Sequence, residues 1–102
     1  MPFVGVCAAT DLPEGGMRRF DVAGRAVAVY RVAGAFHATA AVCTHEHAFL
    51  TDGELEGLRV RCPLHGSRFD ITTGRVLGPP AYKRLPVFAA REREGQIEVE
   101  LP

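Results

Sequence analysis

The sequence predicts an all-β protein, and three features of the 102-residue chain support that class. Apolar and polar residues alternate in several short runs, which is the pattern of strands that bury one face. Turn residues separate these runs about every ten positions, as small antiparallel sandwiches and barrels require. No segment has the apolar spacing of a long helix. We therefore expect an antiparallel β-sandwich or barrel.

The two ends of the chain carry the regular strands. In chain order, we predict strands at 3–9, 17–22, 26–32, 36–42, 85–92 and 96–101. Between them, segments such as AGR and REG supply the glycine that tight turns use. The stretches DLPEGG and TDGELEG each have room for a single helical turn at most.

The middle of the chain differs, because its strand signals are short and its loops are long. We interpret residues 1–102 as one domain, since the length suits a single core. Residues 1–42 and 81–102 would form the base, and about 43–80 would form an inserted loop-rich subdomain.

Composition and charge argue against several classes of function. Twelve basic residues balance twelve acidic ones, so no field favours nucleic acid or an anionic membrane. No run approaches the roughly 20 apolar residues of a membrane span, and the N-terminus lacks a signal-peptide pattern. Three cysteines are an odd count with no disulfide-scaffold spacing. These features predict a cytoplasmic protein with reduced thiols.

Two clusters in the middle segment hold the candidate ligands. Their spacing is Cys43-x-His45 and Cys62-x-x-His65, and thiolate and imidazole are good ligands for soft or borderline metals. A zinc finger groups like residues at each knuckle, whereas here each loop carries one cysteine and one histidine. The C-x-H spacing is tight for one tetrahedral ion and suits neighbouring metal atoms better. A zinc-stabilised interaction module stays an alternative.

With these residues, CTH and CPLHG, the chain resembles the Rieske iron–sulfur family. The resemblance implies the Rieske fold and one 2Fe–2S cluster, with Cys43, His45, Cys62 and His65 as its ligands. The chain is most similar to the ferredoxins of bacterial aromatic-ring dioxygenase systems. These are electron carriers rather than enzymes. They pass single electrons from an NAD(P)H-dependent flavoprotein reductase to a terminal oxygenase.

The same resemblance implies how the chain meets its partners. The reductase and the oxygenase would dock transiently near His45 and His65, with no nucleic acid or membrane involved, and the carrier would be a monomer. A second interpretation within the family is the Rieske small subunit of an NADH-dependent nitrite reductase.

The family pattern also implies a reduction potential in the low-to-middle part of the Rieske range. Ala48 and Leu64 stand where high-potential members have a disulfide, and Phe69 stands where they have a tyrosine. Ser67 matches the serine that donates a hydrogen bond to a bridging sulfide, which raises the potential. The segment Gly78, Pro79, Pro80 resembles the proline loop that covers one side of the cluster.

Several further residues near the two clusters are open to more than one interpretation. We expect His47 to be a solvated loop residue or a docking residue, His37 to be a strand histidine, and Cys7 to be a small core residue. Acidic residues near the first loop and basic residues near the second could steer partners or form a mixed, solvated surface. They are Glu46, Asp52, Glu54 and Glu56, and Arg59, Arg61, Arg68 and Arg75.

Overall fold

The protein is all-β, as predicted, in a computed structural model that describes residues 3–45 and 47–101. In chain order the strands are β1 Phe3–Ala8, β2 Met17–Val22, β3 Arg25–Val32, β4 Ala35–Ala40, β5 Glu54–Glu56, β6 Arg59–Arg61, β7 Arg68–Asp70, β8 Val76–Gly78, β9 Val87–Arg93 and β10 Gln96–Glu100. Two short 3-10 turns cover Ala9–Asp11 and Leu50–Asp52. Within the described ranges no helix is long and apolar enough to cross a membrane.

The six long strands form one antiparallel sheet in the order β1-β10-β9-β4-β3-β2. The edge strands β1 and β2 contact each other, so the sheet curls into a nearly closed barrel. The ends of the chain thus combine into one sheet. The strands begin and end within two residues of the predicted bounds.

Three hairpins of this sheet share one tight turn, an X-Gly pair in which both residues have positive φ. The pairs are Ala23–Gly24, Ala33–Gly34 and Glu94–Gly95, with φ between 51° and 80°. This is the type I′ geometry, whose twist matches that of the flanking strands. The glycine of each pair takes the left-handed backbone at little cost.

Glu14 caps one of these turns from outside the hairpin. Its carboxylate accepts hydrogen bonds from the backbone N–H groups of Ala33 at 2.6 Å and Gly34 at 2.8 Å. The hydrogen bonds from Gly34 and Ala33 hold the pKa of this exposed carboxyl below its ordinary value. The cap therefore depends on Glu14 being ionised.

The third strand is buried on both faces and joins the two halves of the molecule. Val27 and Val29 belong to the core of the barrel, whereas Ala28 and Tyr30 belong to the core beneath the middle segment. Consecutive apolar residues are what a strand with two covered faces needs. The short apolar run in β3 thus places the middle segment firmly against the barrel.

Tyr30 and Thr39 form a fully buried hydrogen bond across β3 and β4. Their hydroxyl oxygens lie 2.8 Å apart, and Thr39 Oγ1 donates to the carbonyl of Ala40. Since the threonine proton goes to that carbonyl, Tyr30 is the donor to Thr39. Burial raises the pKa of the Tyr30 phenol, so this hydroxyl stays protonated and its bond is satisfied.

The middle segment forms a second, smaller antiparallel sheet in the order β5-β6-β7-β8, in which each strand has three residues. Its core side contributes Val60, Phe69 and Ile71, and Leu50 joins them from the 3-10 turn; all are at most 1% exposed. Fully burying a side chain of this size contributes about 1.5–3 kcal/mol. Cys43 and Cys62 belong to the same core cluster as these residues.

Candidate metal centre

The first candidate loop is a short hairpin at the end of β4. An isolated antiparallel bridge pairs Val42 with Phe49. Inside it, the backbone N–H of Cys43 donates to the carbonyl of Ala48 at 2.9 Å. The hydrogen bonds thus close a loop that carries Cys43 at its start and His45 near its tip.

The second candidate loop connects β6 to β7 and is closed by the same kind of backbone pairing. Arg61 pairs with Arg68, and inside that pair the N–H of Cys62 donates to the carbonyl of Ser67 at 2.7 Å. The segments 42–49 and 61–68 therefore have the same length and the same closing bond. One sequence feature could have indicated that the two loops have equal length: each cysteine is followed five positions later by a small residue, Ala48 or Ser67. The spacing of the ligands differs between the loops and does not indicate it.

The two loops bring the four predicted ligands together at the core beneath the middle segment. Cys43 is 4% exposed and Cys62 is 1% exposed, and both belong to that core. His45 and His65 are exposed, and their ring centroids lie 6.1 Å apart with an interplanar angle of 68°. Sulfur is therefore directed inwards and imidazole outwards, in the same order in both loops.

A sharp backbone reversal turns the second loop at its histidine. His65 has a φ of 62° and Gly66 a φ of 76°, so two consecutive residues are in the left-handed region. The same X-Gly pattern of two positive φ values reverses the chain at the three tight hairpin turns of the barrel. This reversal presents His65 at the surface while Cys62 stays buried.

A third segment, residues 79–83, holds both loops and is called the strap below. The N–H of Ala81 donates to the buried Oγ of Ser67 at 3.0 Å, and Thr44 Oγ1 donates to the carbonyl of Lys83 at 2.8 Å. One bond reaches the second loop and the other reaches the first. Thr44 and the Ala81–Lys83 stretch were not singled out by the sequence, since these contacts join positions 14 and 39 residues apart.

The four donors come as two mixed pairs, with one cysteine and one histidine in each hairpin. In the stretches 3–45 and 47–101, no three or more His, Cys, Asp or Glu residues are arranged to hold one metal ion. A structural zinc site needs four such ligands around one centre. All three cysteines, each in a described stretch, are outside disulfides.

The remaining predicted residues lie around the loops or in the barrel. His47 is exposed on the first loop, and Glu46 lies outside the described residues. Ala48 is buried and Leu64 is exposed. His37 lies on β4 opposite Tyr30, and Phe69 is fully buried. Cys7 packs against the barrel core, and burial raises the pKa of its thiol.

The charged residues near the loops face each other across the small sheet. Glu54 lies opposite Arg61 and Glu56 lies opposite Arg59 in the β5–β6 register. Arg68 Nε is 3.7 Å from Glu56 Oε1, in a pair that is close to half exposed. Opposite charges in register stabilise a sheet modestly. These contacts favour the mixed-surface interpretation over separate acidic and basic patches.

The comparison with known families identifies this arrangement. A profile of the Rieske [2Fe-2S] domain matches residues 3–89. The chain belongs to the Rieske family. A ferredoxin of Metapseudomonas resinovorans, CarAc, is 42% identical to this Rieske protein over 95 residues, covering 92% of this chain and 89% of the relative. The ferredoxin component of a naphthalene 1,2-dioxygenase system of Pseudomonas aeruginosa is 34% identical over 99 residues, covering 97% and 95%.

Solved structures give the same result for the Rieske fold. A chain from a complex of reduced oxygenase and oxidised ferredoxin in carbazole 1,9a-dioxygenase superposes with a TM-score of 0.90 and is 40% identical, covering 95% of this chain and 91% of that one. Two solved chains described as nitrite reductase small subunits share the fold at only 18% and 26% identity. The alternative of a nitrite reductase subunit therefore has less support.

Proposed function

We propose that this Rieske protein is a one-electron carrier that takes electrons from an NAD(P)H-dependent flavoprotein reductase and delivers them to a terminal oxygenase. One observation carries the proposal. Two hairpins of equal frame bury Cys43 and Cys62 and expose the rings of His45 and His65, which lie 6.1 Å apart. The ferredoxin relatives, one of them from a complex with an oxygenase, support the choice of partner.

We further propose that one 2Fe–2S cluster is bound by Cys43, Cys62, His45 and His65. The donor set fits such a group, because two thiolates and two imidazoles are the Rieske ligands. Each hairpin supplies one of each, and the described donors are not arranged for a single ion. When bound, the cluster accepts and releases one electron with its ligand sphere complete, which leaves no open position for a substrate.

The residues around the ligands have separate tasks in this proposal. The closing bonds of Cys43 and Cys62 fix the depth of the two sulfur atoms beneath the surface. The exposed imidazoles of His45 and His65 offer the shortest route to a docked partner. The strap holds the two hairpins at a fixed separation, which limits their movement when charge changes.

The organisation of the chain follows the same proposal. Residues 1–102 form one domain, with a base of 1–42 and 81–102 and a cluster-binding subdomain of about 43–80. The two sheets and the two core clusters support this division. The carrier is a cytoplasmic monomer.

Electron delivery is the direct test of this function. The cluster-loaded protein is mixed with a ferredoxin reductase, NADH and each of several terminal oxygenases of aromatic-ring dioxygenase systems, and substrate hydroxylation is measured. Turnover with at least one oxygenase, absent when the protein is omitted, is the expected result. No turnover with any oxygenase, together with stable co-purification with a nitrite reductase large subunit, would favour the alternative family member. A colourless protein that contains zinc would favour the interaction module.

A further inference from the structure

Tyr82 in the strap is the most exposed large apolar side chain in the described part of the chain. Its exposed fraction is 80%, whereas the seven other exposed large apolar side chains have exposed fractions between 37% and 48%. A single exposed apolar residue is common and by itself indicates nothing, but tyrosine is among the residues enriched in protein interfaces, so its position on the surface matters. Its ring makes little contribution to either core.

The backbone on each side of Tyr82 is fixed to a ligand hairpin. The preceding residue, Ala81, is 5% exposed and donates its N–H to Ser67 of the second hairpin at 3.0 Å. The following residue, Lys83, accepts a hydrogen bond from Thr44 of the first hairpin at 2.8 Å. Tyr82 therefore lies between the two attachment points, on a backbone that is hydrogen-bonded to one hairpin on each side.

Six of the eight large exposed apolar residues in the described part of the chain lie in the segment 42–82, which carries the hairpins: Val42, Phe49, Leu58, Leu64, Leu77 and Tyr82. They do not form one surface, since Leu58 lies in the β5–β6 turn, at the opposite end of β6 from the second hairpin. Leu64, at 48% exposed, adjoins His65 in the second hairpin. The charges of the small sheet compensate one another, whereas two exposed cations, Lys83 and Arg84, directly follow Tyr82. The surface at the strap therefore combines an exposed aromatic ring with positive charge.

We infer that Tyr82 is an aromatic anchor that packs into an apolar cleft on the terminal oxygenase when the carrier docks. This inference rests on the proposed function, since the occupant is the electron acceptor of that function. A ring on a fixed backbone loses little conformational entropy on binding, and tyrosine is among the residues that contribute most to interface affinity. Docking through Tyr82 places the partner beside both hairpins at once.

The test uses the cluster-loaded protein with an oxygenase that accepts its electrons. Three variants are compared with the original: Tyr82→Ser, Tyr82→Phe and Leu58→Ser. Leu58 is a matched control, because it is 44% exposed but lies in the β5–β6 turn, at the opposite end of β6 from the second hairpin. The readouts are KM for the carrier, kcat, the reduction potential and the EPR spectrum.

We expect Tyr82→Ser to raise KM about tenfold with kcat, potential and EPR spectrum unchanged, because a central aromatic contact is lost while the hairpins stay intact. The KM values of Tyr82→Phe and Leu58→Ser should stay within about twofold of the original value, since both variants keep the aromatic ring at position 82. An unchanged KM in Tyr82→Ser overturns the anchor and leaves the proposed function standing. So does an equal rise in Leu58→Ser, or an altered EPR spectrum in Tyr82→Ser. Failure of the original protein to deliver electrons to any oxygenase overturns the proposed function and the anchor together.

Discussion

Replacing Ser67 with alanine tests how the strap and the second hairpin work together. The Ser67 side chain is fully buried, and its Oγ accepts the N–H of Ala81 at 3.0 Å. Because that bond uses the oxygen as an acceptor, the hydroxyl proton stays available for donation. The Rieske resemblance implies that the proton is donated to a bridging sulfide. Ser67→Ala therefore removes one bond that holds the strap and, if the proposed cluster is bound as in the family, one that acts on it.

The effect on stability follows from the buried N–H of Ala81, which loses its acceptor. A buried donor without a partner costs about 1–3 kcal/mol. For a domain of roughly 100 residues, each 1 kcal/mol lowers the melting temperature by about 4–8 °C. We therefore expect the cluster-loaded Ser67→Ala protein to melt about 5–20 °C lower in scans at one fixed rate.

The effect on the reduction potential has a predictable sign. A hydrogen bond to sulfur stabilises the more negative, reduced form more than the oxidised form, so its loss lowers the potential. An ordinary hydrogen bond contributes about 1 kcal/mol. If the bond stabilises the reduced form over the oxidised form by that amount, its loss lowers the potential by about 40 mV, since 59 mV corresponds to a tenfold change in the equilibrium constant for one electron. Potentiometric titration monitored by EPR measures it.

Thr44→Val is the matched control for this prediction. It removes the other bond of the strap, but the Lys83 carbonyl that Thr44 contacts lies in an exposed stretch and can accept a hydrogen bond from water instead. We expect a loss of stability below about 0.5 kcal/mol and an unchanged potential. If Ser67→Ala leaves the potential unchanged, its hydroxyl does not act on the cluster. If it leaves the melting temperature unchanged, the strap bond contributes nothing.

Three further predictions concern the turn cap, the first hairpin and the surface charges. The pKa of Glu14 lies below its ordinary value of 4.5, so its cap stabilises the fold above that pH and is lost as pH falls through the lowered folded-state pKa. Denaturant midpoints should then fall more steeply with acid in the original than in Glu14→Gln, and equal slopes would contradict the cap. The guanidinium carbon of Arg19 lies 3.7 Å from the centroid of the Phe49 ring at the end of the first hairpin, whereas Arg18 stacks over Phe20 in the barrel at 5.3 Å. Arg19→Ala should speed iron release to a chelator about two- to fivefold and Arg18→Ala should not, and equal rates in both variants would exclude a specific role for the stack. The rate of electron transfer to the oxygenase should change less than about threefold between about 50 and 500 mM salt. A tenfold fall in that rate would show that separate acidic and basic patches steer the partner.

The barrel could be predicted from the sequence because its signals are local. Alternation marks each long strand, and an X-Gly pair such as Ala23–Gly24 marks each tight turn. These signals need only neighbouring residues to act, so they survive without knowledge of the tertiary structure. The double burial of β3 is different, because Ala28 and Tyr30 face a core formed by residues far along the chain.

The small sheet and the strap could not be predicted in the same way. Strands of three residues are too short for alternation to be recognised, and the β5–β8 pairing depends on long-range contacts. The strap bonds from Ala81 and Thr44 likewise join distant segments. For the candidate centre, residue types and their spacing indicated the candidate ligands. The equal length of the two hairpins and the inward position of the sulfur atoms could be seen only in the folded structure.

The metal content of anaerobically purified protein, measured beside that of the ligand variants, tests the proposed cluster most directly. We expect two iron atoms and two acid-labile sulfides per chain, as in a [2Fe-2S] domain, and loss of both in Cys43→Ser and Cys62→Ala. His45→Ala and His65→Ala should lose the Rieske EPR spectrum, and His47→Ala should keep iron, sulfide and spectrum. Zinc in place of iron, or an unaltered cluster in Cys43→Ser or His65→Ala, would contradict the account.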